Sequence, residues 1–369
     1  MISNLLKTDC IRTGKFTLKN GEISKYYFDM KLLVSYPELL KSICNEIYNL
    51  IDEKCDLLCG VPIGGLPVCS YISINYNIPM IMVRDEVKSY GTQKQIEGNY
   101  DKKNKCIIIQ DVVTSGRSVQ KVIDILEDKV EVIGVITILD RQQGHNCSVP
   151  IKSLFSKTDI VKEKLYNLIE IKKSRLCFSA DLDSKEDLIK ILENIGQYIV
   201  ICKIHYDFYD DKDNELKNKL IELSINHDFL IIEDRKFIDI SNTVKKQYRK
   251  YSNWVDMVTV MGNVSEEVIK NLSGVLLVAN MSNNSFNCTD NSIELANKYS
   301  NHVVGFITQN RINLDNMICM TPGVNINTSK DKDQNYRDLN DIDTDIIIVG
   351  RGIYNQKDYE NSAKIYSDF

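Results

Sequence analysis

IIEDRKFIDISNTVKKQY, residues 231–248, sets Asp234, Lys236 and Asp239 directly behind an apolar strand. Phe229 to Ile232 form a short run rich in β-branched residues, the pattern of a buried strand. Polarity inverts at its end, in Glu233-Asp234-Arg235-Lys236. Strand alternation puts Asp234 and Lys236 on one face, with Asp239 following in a loop or helix. A lysine held between carboxylates keeps its proton, because each negative charge favours the ammonium form. Such an array suits proton delivery to a carbanion and expulsion of an anionic group. A run of surface salt bridges is the plainer reading of the same residues.

The surrounding chain favours the first reading. Apolar strand-like runs recur at Leu176–Ser179, Ile199–Lys203, Phe229–Ile232, Val255–Val260, Val275–Ala279, Val303–Ile307, Met317–Met320 and Ile346–Val349, with mostly helical material between them. This rhythm predicts a (β/α)8 TIM barrel. Nearly every run ends in polar or glycine-rich residues, among them Asp181, His205, Met281-Ser282 and Gly350-Arg351-Gly352. Active sites of such barrels gather at these carboxyl ends. Gly350-Arg351-Gly352, after the eighth strand, combines close-approach glycines with a cation that can fork onto a phosphate. The loop Thr321–Tyr336 follows strand seven and can fold over that anion.

The first half alternates differently. Runs at Leu57–Val61, Met80–Val83, Cys106–Val113 and Val132–Leu139 read as strands, and Pro37–Leu50 and Ser118–Asp128 read as helices. An α/β domain with a mostly parallel sheet and flanking helices is expected. A connecting helix is expected over Ile160–Ile171, dividing the chain into domains of 1–160 and 161–369. The second motif is CIIIQDVVTSGRS, residues 106–118, where a strand runs into Asp111 and a Thr-Ser-Gly-Arg-Ser turn opens a helix. Hydroxyls and exposed amides at a helix amino terminus cradle a phosphate. An ordinary capped βα turn is the bland alternative.

The chain has 369 residues, 43% hydrophobic and 26% charged, with a formal net charge of −5. That balance gives no case for nucleic acid or membrane binding, and no apolar run reaches membrane-spanning length. Eleven scattered cysteines and a start without an apolar leader point to a reducing cytoplasm. His145, His205, His227 and His302 are each isolated in sequence.

The segments LCFSAD, CKIH, IIEDRKFIDISNTVKKQY, ANMS, VVGFI, MTPGV and DIIIVGRGI run in order over residues 176–353. Together they resemble the orotidine 5′-monophosphate decarboxylase family. The resemblance implies a charged catalytic array of Lys203, Asp234, Lys236 and Asp239 and no cofactor for this half. Lys236 would protonate C6 of the pyrimidine, and Asp234 would crowd the leaving carboxylate. It further implies Asp181 and Lys203 at the ribose, Ser179 and Ser282 at the pyrimidine edge, and Gln334, Tyr336 and Arg351 at the phosphate. His205, Met281, Pro322 and Gly350 complete the implied nucleotide site. Asp239, Ile240 and Thr243 would reach into a neighbouring subunit's site, which implies a homodimer. Val258-Thr259-Val260-Met261-Gly262 departs from the family's asparagine-containing strand, a change expected to touch dimer or ribose contacts.

CIIIQDVVTSGRS resembles the signature of type I phosphoribosyltransferases. FTLKNGEISKYYFDMK, CGVPIGGLP, VRDEVKSYGT with IEG, and ILDRQQG narrow this resemblance to the orotate phosphoribosyltransferase family. It implies the type I phosphoribosyltransferase fold, with Lys19, Arg84 and Lys88 at diphosphate and Asp111 at the ribose hydroxyls. Thr114, Ser115, Gly116 and Ser118 would hold the 5′-phosphate. Tyr26, Tyr27 and Phe28 would stack near orotate, and Arg141 would pair its carboxylate. Glu86–Gly98 would be a mobile loop closing over diphosphate, with Mg²⁺ carried on the diphosphate rather than on direct protein ligands. Two departures bear on this half: Gln110 replaces one acid of the usual pair, and Asp85 stands where a lysine is expected.

The tandem resembles the bifunctional UMP synthases. They join orotate to phosphoribosyl pyrophosphate, then decarboxylate orotidine 5′-monophosphate to UMP. Two other readings stand beside it. In one the first half is a non-catalytic binding or dimerisation module, and in the other the barrel serves a different sugar-phosphate reaction.

Overall fold

The computed structural model describes residues 1–18, 21–52, 54–84, 94–212, 214–282, 286–326 and 336–369. The chain divides into two compact units, Met1–Arg12 with Tyr27–Lys157, and Thr13–Tyr26 with Thr158–Phe369.

A two-stranded sheet of β1 (Ile11–Thr17) and β2 (Ile23–Phe28) comes first. The first unit is then built on a six-stranded sheet of β3 (Leu57–Gly60), β4 (Met80–Val83), β5 (Ile96–Glu97), β6 (Lys105–Val113), β7 (Glu131–Asp140) and β8 (Ile151–Ser156). Their order is β5-β4-β3-β6-β7-β8, parallel except for the β4–β5 pair. The parallel strands are short aliphatic runs because helices cover the sheet and leave little of it to solvent. Every residue of β3 is buried. The predicted helices appear as Pro37–Asn49 and Arg117–Leu126.

The second unit is a closed barrel of β9 (Leu176–Ala180), β10 (Ile201–Ile204), β11 (Leu230–Phe237), β12 (Met257–Met261), β13 (Val275–Val278), β14 (Val303–Ile307), β15 (Ile318–Thr321) and β16 (Ile346–Val349). All neighbours are parallel, and β16 closes on β9. Each predicted barrel run matches one of these strands. β11 exceeds its prediction most, because the polar residues Glu233 to Lys236 continue the strand rather than end it. The connecting helix spans Lys157–Lys172. No helix among the described residues is long and apolar enough to cross a membrane.

The segment Thr13–Tyr26 groups with the barrel unit although it comes early in the chain. Lys25, only 1% exposed, bonds Asp256 at 2.6 Å, and the Tyr26 hydroxyl donates to the other carboxylate oxygen at 2.5 Å. The Ile231 amide also donates to Asp256, at 2.7 Å. Asp256 directly precedes β12, so the pair lies at the amino ends of the strands, away from the carboxyl ends that carry polar side chains. Burial pushes the Asp256 carboxyl up, but Lys25 and Lys164 outweigh it and hold it below the usual range. Lys25→Met leaves that carboxylate buried without its paired ammonium, with Lys164 as the remaining cation. The change is expected to destabilise the barrel unit by about 3–5 kcal/mol. Urea unfolding of the full chain measures this, and a loss under about 1 kcal/mol would contradict the account.

Candidate active site

The barrel mouth is where β11 changes character. Its register against β12 shifts between Glu233 and Phe237, and Lys236 adopts φ +47°, a left-handed value that non-glycine residues rarely hold. Such local strain persists only where the surroundings enforce it, and it concentrates at functional sites. The irregular backbone still leaves Asp234 buried, Arg235 exposed and Lys236 between the two.

Asp234 is the hub. It is 5% exposed and ion-paired with Lys203 of β10. The same oxygen lies 2.8 Å from the Lys236 ammonium and 3.3 Å from His205 Nε2. Thr259 of β12 donates to the other oxygen at 2.8 Å and accepts the Lys236 amide at 2.9 Å. Burial pushes the Asp234 carboxyl up, yet Lys203, His205 and Lys236 together hold it well below the ordinary range. For Lys203, burial pulls the ammonium down, while Asp234 and Asp181 raise it above its usual value. Asp181 lies 3.9 Å from Lys203 and 3.8 Å from His205, and accepts from Ser179 at 2.9 Å.

These groups line one cavity of about 260 Å³ together with Met281, Ser282, Pro322, Tyr336, Gly350 and Arg351. The Arg351 guanidinium lies 5.7 Å from the Tyr336 ring centroid. A Cβ at Gly350 would come within 3.1 Å of the Ser179 carbonyl, so the turn passes close to the end of β9. The cavity thus joins an ammonium–carboxylate array to an arginine, which suits a ligand with an anionic tail and a reacting polar head.

Several placements differ from the sequence reading. Thr259 belongs to the charged array itself, not to the periphery where its departure from the family pattern had set it. Asp239, Ile240 and Thr243, which the resemblance directs into a neighbouring subunit's site, do not line their own chain's cavity: Asp239 is exposed, and so is Ile240, at 71%. Gln334 lies outside the described residues. Asn280 and Tyr354 line the cavity without having been singled out. Asn280 is an uncharged strand-end residue, and only the barrel's closure brings it to the mouth.

In the first unit, β6 runs into Gln110 and Asp111, and the turn Thr114–Gly116 opens the helix Arg117–Leu126. Gly116 has φ +75°, and a Cβ there would meet Cys147 and His145. A Cβ at Gly64 would collide with the Asp111 carboxylate, so the CGVPIGGLP loop passes directly beneath that acid. Burial pushes the Asp111 carboxyl up despite Lys31, which lies 4.0 Å away and pairs Asp29 at 2.8 Å. Lys31 was not anticipated, although it ends the YYFDMK segment.

Arg141 lies 5.5 Å from the Phe28 ring centroid, and its buried Nε has no hydrogen-bond partner among the described residues. Arg84 is engaged by Glu97 at 2.9 Å. Tyr26 corrects the sequence reading: it is 2% exposed and bonded to Asp256 in the barrel unit, so it does not stand with Tyr27 and Phe28. Its polar tip found a carboxylate that sequence spacing could not foresee. Lys19 and Lys88, with Asp85 and the rest of 85–93, lie outside the described residues.

The orotidine 5′-phosphate decarboxylase / HUMPS family matches residues 174–366, and the phosphoribosyl transferase domain matches residues 35–163. The chain belongs to the orotidine 5′-phosphate decarboxylase / HUMPS family and carries a phosphoribosyl transferase domain ahead of that barrel. It is 28% identical to the uridine 5′-monophosphate synthase of Bos taurus over 99% of this chain and 95% of that one. It is 38% identical to the orotidine 5′-phosphate decarboxylase of Rhizopus oryzae over 53% of this chain and 82% of that one. Among solved structures it is similar to orotidine 5′-phosphate decarboxylase from Pyrococcus horikoshii, at 25% identity and TM-score 0.41, covering 52% of this chain and 96% of that one.

The Asp234 array also sets a pH dependence. Its folded pKa lies below the unfolded value, so the array's contribution to stability is present above about pH 4 and is lost as pH falls through the folded value. The stability gap between the native chain and Asp234→Asn is therefore expected to narrow below about pH 4 in denaturant titrations. A gap that stays constant from pH 6 to pH 3 would contradict the assignment.

Proposed function

We propose that the chain makes UMP in two consecutive steps. The part up to residue 160 joins orotate to phosphoribosyl pyrophosphate, and the part from 161 decarboxylates the resulting orotidine 5′-monophosphate. The observation that carries this reading is the Lys203–Asp234–Lys236 array facing the cavity that also holds Arg351.

In the decarboxylation, the bond from C6 to its carboxylate breaks, CO₂ leaves, and the electron pair stays on C6. The fixed negative charge of Asp234 crowds the departing carboxylate. The Lys236 ammonium, 2.8 Å from Asp234, then gives its proton to C6. Lys203 and Asp181 hold the ribose, Ser179 and Ser282 the pyrimidine edge, and Arg351 the phosphate. Preorganised charge in a site closed to water supplies the acceleration. The barrier reduction required of such a catalyst reaches about 20 kcal/mol. No single pair provides that, so remote phosphate binding energy must contribute.

In the transfer step, the orotate nitrogen gives up its proton to solvent and bonds C1′ as the bond from C1′ to diphosphate breaks and diphosphate leaves. Asp111 accepts from ribose hydroxyls, the Thr114–Ser118 turn holds the 5′-phosphate, and Arg141, whose buried Nε has no partner among the described residues, pairs the orotate carboxylate. Gln110 and Asp111 offer a single carboxylate, and no group of three His, Cys, Asp or Glu side chains among the described residues could hold a metal ion. A Mg²⁺ ion carried on the diphosphate would supply charge neutralisation there, beside the single carboxylate of Asp111. Exposed Ile238 and Ile240 beside Asp239 support a homodimer in which Asp239, Ile240 and Thr243 complete the partner's cavity.

Gln110 favours one alternative, in which the first half binds ligand without turning over. Supplying orotate, phosphoribosyl pyrophosphate and Mg²⁺ to the purified chain decides between them. Diphosphate and CO₂ are both expected, and Lys236→Ala is expected to cut CO₂ release by at least about 10²–10⁴-fold while diphosphate release continues. CO₂ release from added orotidine 5′-monophosphate without any diphosphate release would establish the alternative.

A further inference from the structure

Glu233 has no part in the chemistry above, yet it is fully buried immediately before Asp234 on β11. Its Oε2 accepts the Tyr206 amide at 3.1 Å, and its Oε1 is buried with no partner among the described residues. Tyr206 opens the turn Tyr206–Phe208, which directly follows His205. Phe208 stacks on the His205 ring, with centroids 4.8 Å apart. One carboxyl group therefore anchors the turn that aims His205 at Asp234.

We propose that Glu233 is a positioning residue for decarboxylation, holding the Tyr206 turn, and through it His205, only while its carboxyl is neutral. The role rests on the decarboxylase reading. Charged neighbours explain the need for neutrality. Asp207 from the turn and Asp234 from the strand face Glu233, and Lys203 of β10 already serves Asp234. The Tyr206 and Tyr251 hydroxyls are committed to Asp211 and Asp207, and Arg235 pairs Asp207 at 3.1 Å. Among the described residues the cation that offsets Glu233 is Lys203, and Asp234 holds it in a direct ion pair. Burial pushes the Glu233 carboxyl up to about 8 against the lowering pull of the Tyr206 amide, and Asp207 and Asp234 add to the rise. Above that pH the proton leaves to solvent. The new charge then repels Asp207 and Asp234 and releases the turn.

The test is kcat/KM for CO₂ release from orotidine 5′-monophosphate between pH 6 and 10, using the full chain. The native protein is expected to lose about tenfold between pH 7 and pH 9, as one group with the stated value ionises. Glu233→Gln, which keeps an acceptor and cannot ionise, is expected to stay within about threefold of native at pH 7 and to lack that alkaline limb. Glu233→Ala, without the acceptor, should be slower at every pH. An alkaline limb unchanged in Glu233→Gln would overturn the proposal. A second readout needs no turnover: native stability relative to Glu233→Gln should fall as pH rises from 4.5 to about 8. If that fall is seen but no CO₂ is released at any pH, the decarboxylase reading fails while the neutral carboxyl stands. A flat stability difference overturns the proposal itself.

Discussion

One buried carboxylate organises the barrel mouth. Asp234 meets Lys203, Lys236, His205 and Thr259 at once, and each contact fixes a side chain from a different place: β10, β11, the end of β10 and β12. Burial alone would neutralise such a group. Two ammonium ions and a hydroxyl keep it charged. Buried ion pairs are weak contributors to net stability, because desolvation consumes most of the Coulomb gain. An apolar cluster of equal volume would serve the fold as well, so the array is better explained by what a fixed, dry charge does to a ligand.

The same physics serves a different end at the strands' amino termini. There Asp256, 1% exposed, is satisfied by Lys25, Tyr26 and the Ile231 amide. Nothing is left over to bind a ligand. That pair fastens Thr13–Tyr26 to the barrel. Two buried carboxylates of one unit thus differ in a telling way. Asp256 is closed on every side by the chain, whereas Asp234 opens onto a cavity that also holds Arg351.

What the sequence shows follows from the range of the forces involved. Aliphatic runs such as Val303–Ile307 and Ile346–Val349 are local signals, and they appear as strands with the predicted limits. The Asp234–Lys236 pairing was also legible, since two residues on one strand need only local geometry to meet. β11 was read too short because Glu233, Asp234, Arg235 and Lys236 disfavour a strand on propensity. Pairing with β10 and β12 overrides that preference. The segment Thr13–Tyr26 was illegible for the opposite reason. Its partner Asp256 lies more than two hundred residues away in sequence, and a lysine is rarely so fully buried. Tyr26 was misplaced with it. Thr259 and Lys31 were missed because only folding brings them to acids on other elements.

The departure at Gln110 is less damaging than a lost charge suggests. A type I site handles a substrate dense in phosphate, and every carboxylate near it adds repulsion. Ribose hydroxyls need acceptors, which an amide oxygen supplies as well as a carboxylate. Gln110 donates through Nε2 to the Val112 carbonyl at 3.1 Å, which orients the amide. Its Oε1 is buried and has no partner among the described residues. Asp111 beside it is further offset by Lys31. The strand end therefore keeps two acceptors while carrying one negative charge, and that combination suits an anionic sugar better than it suits a metal.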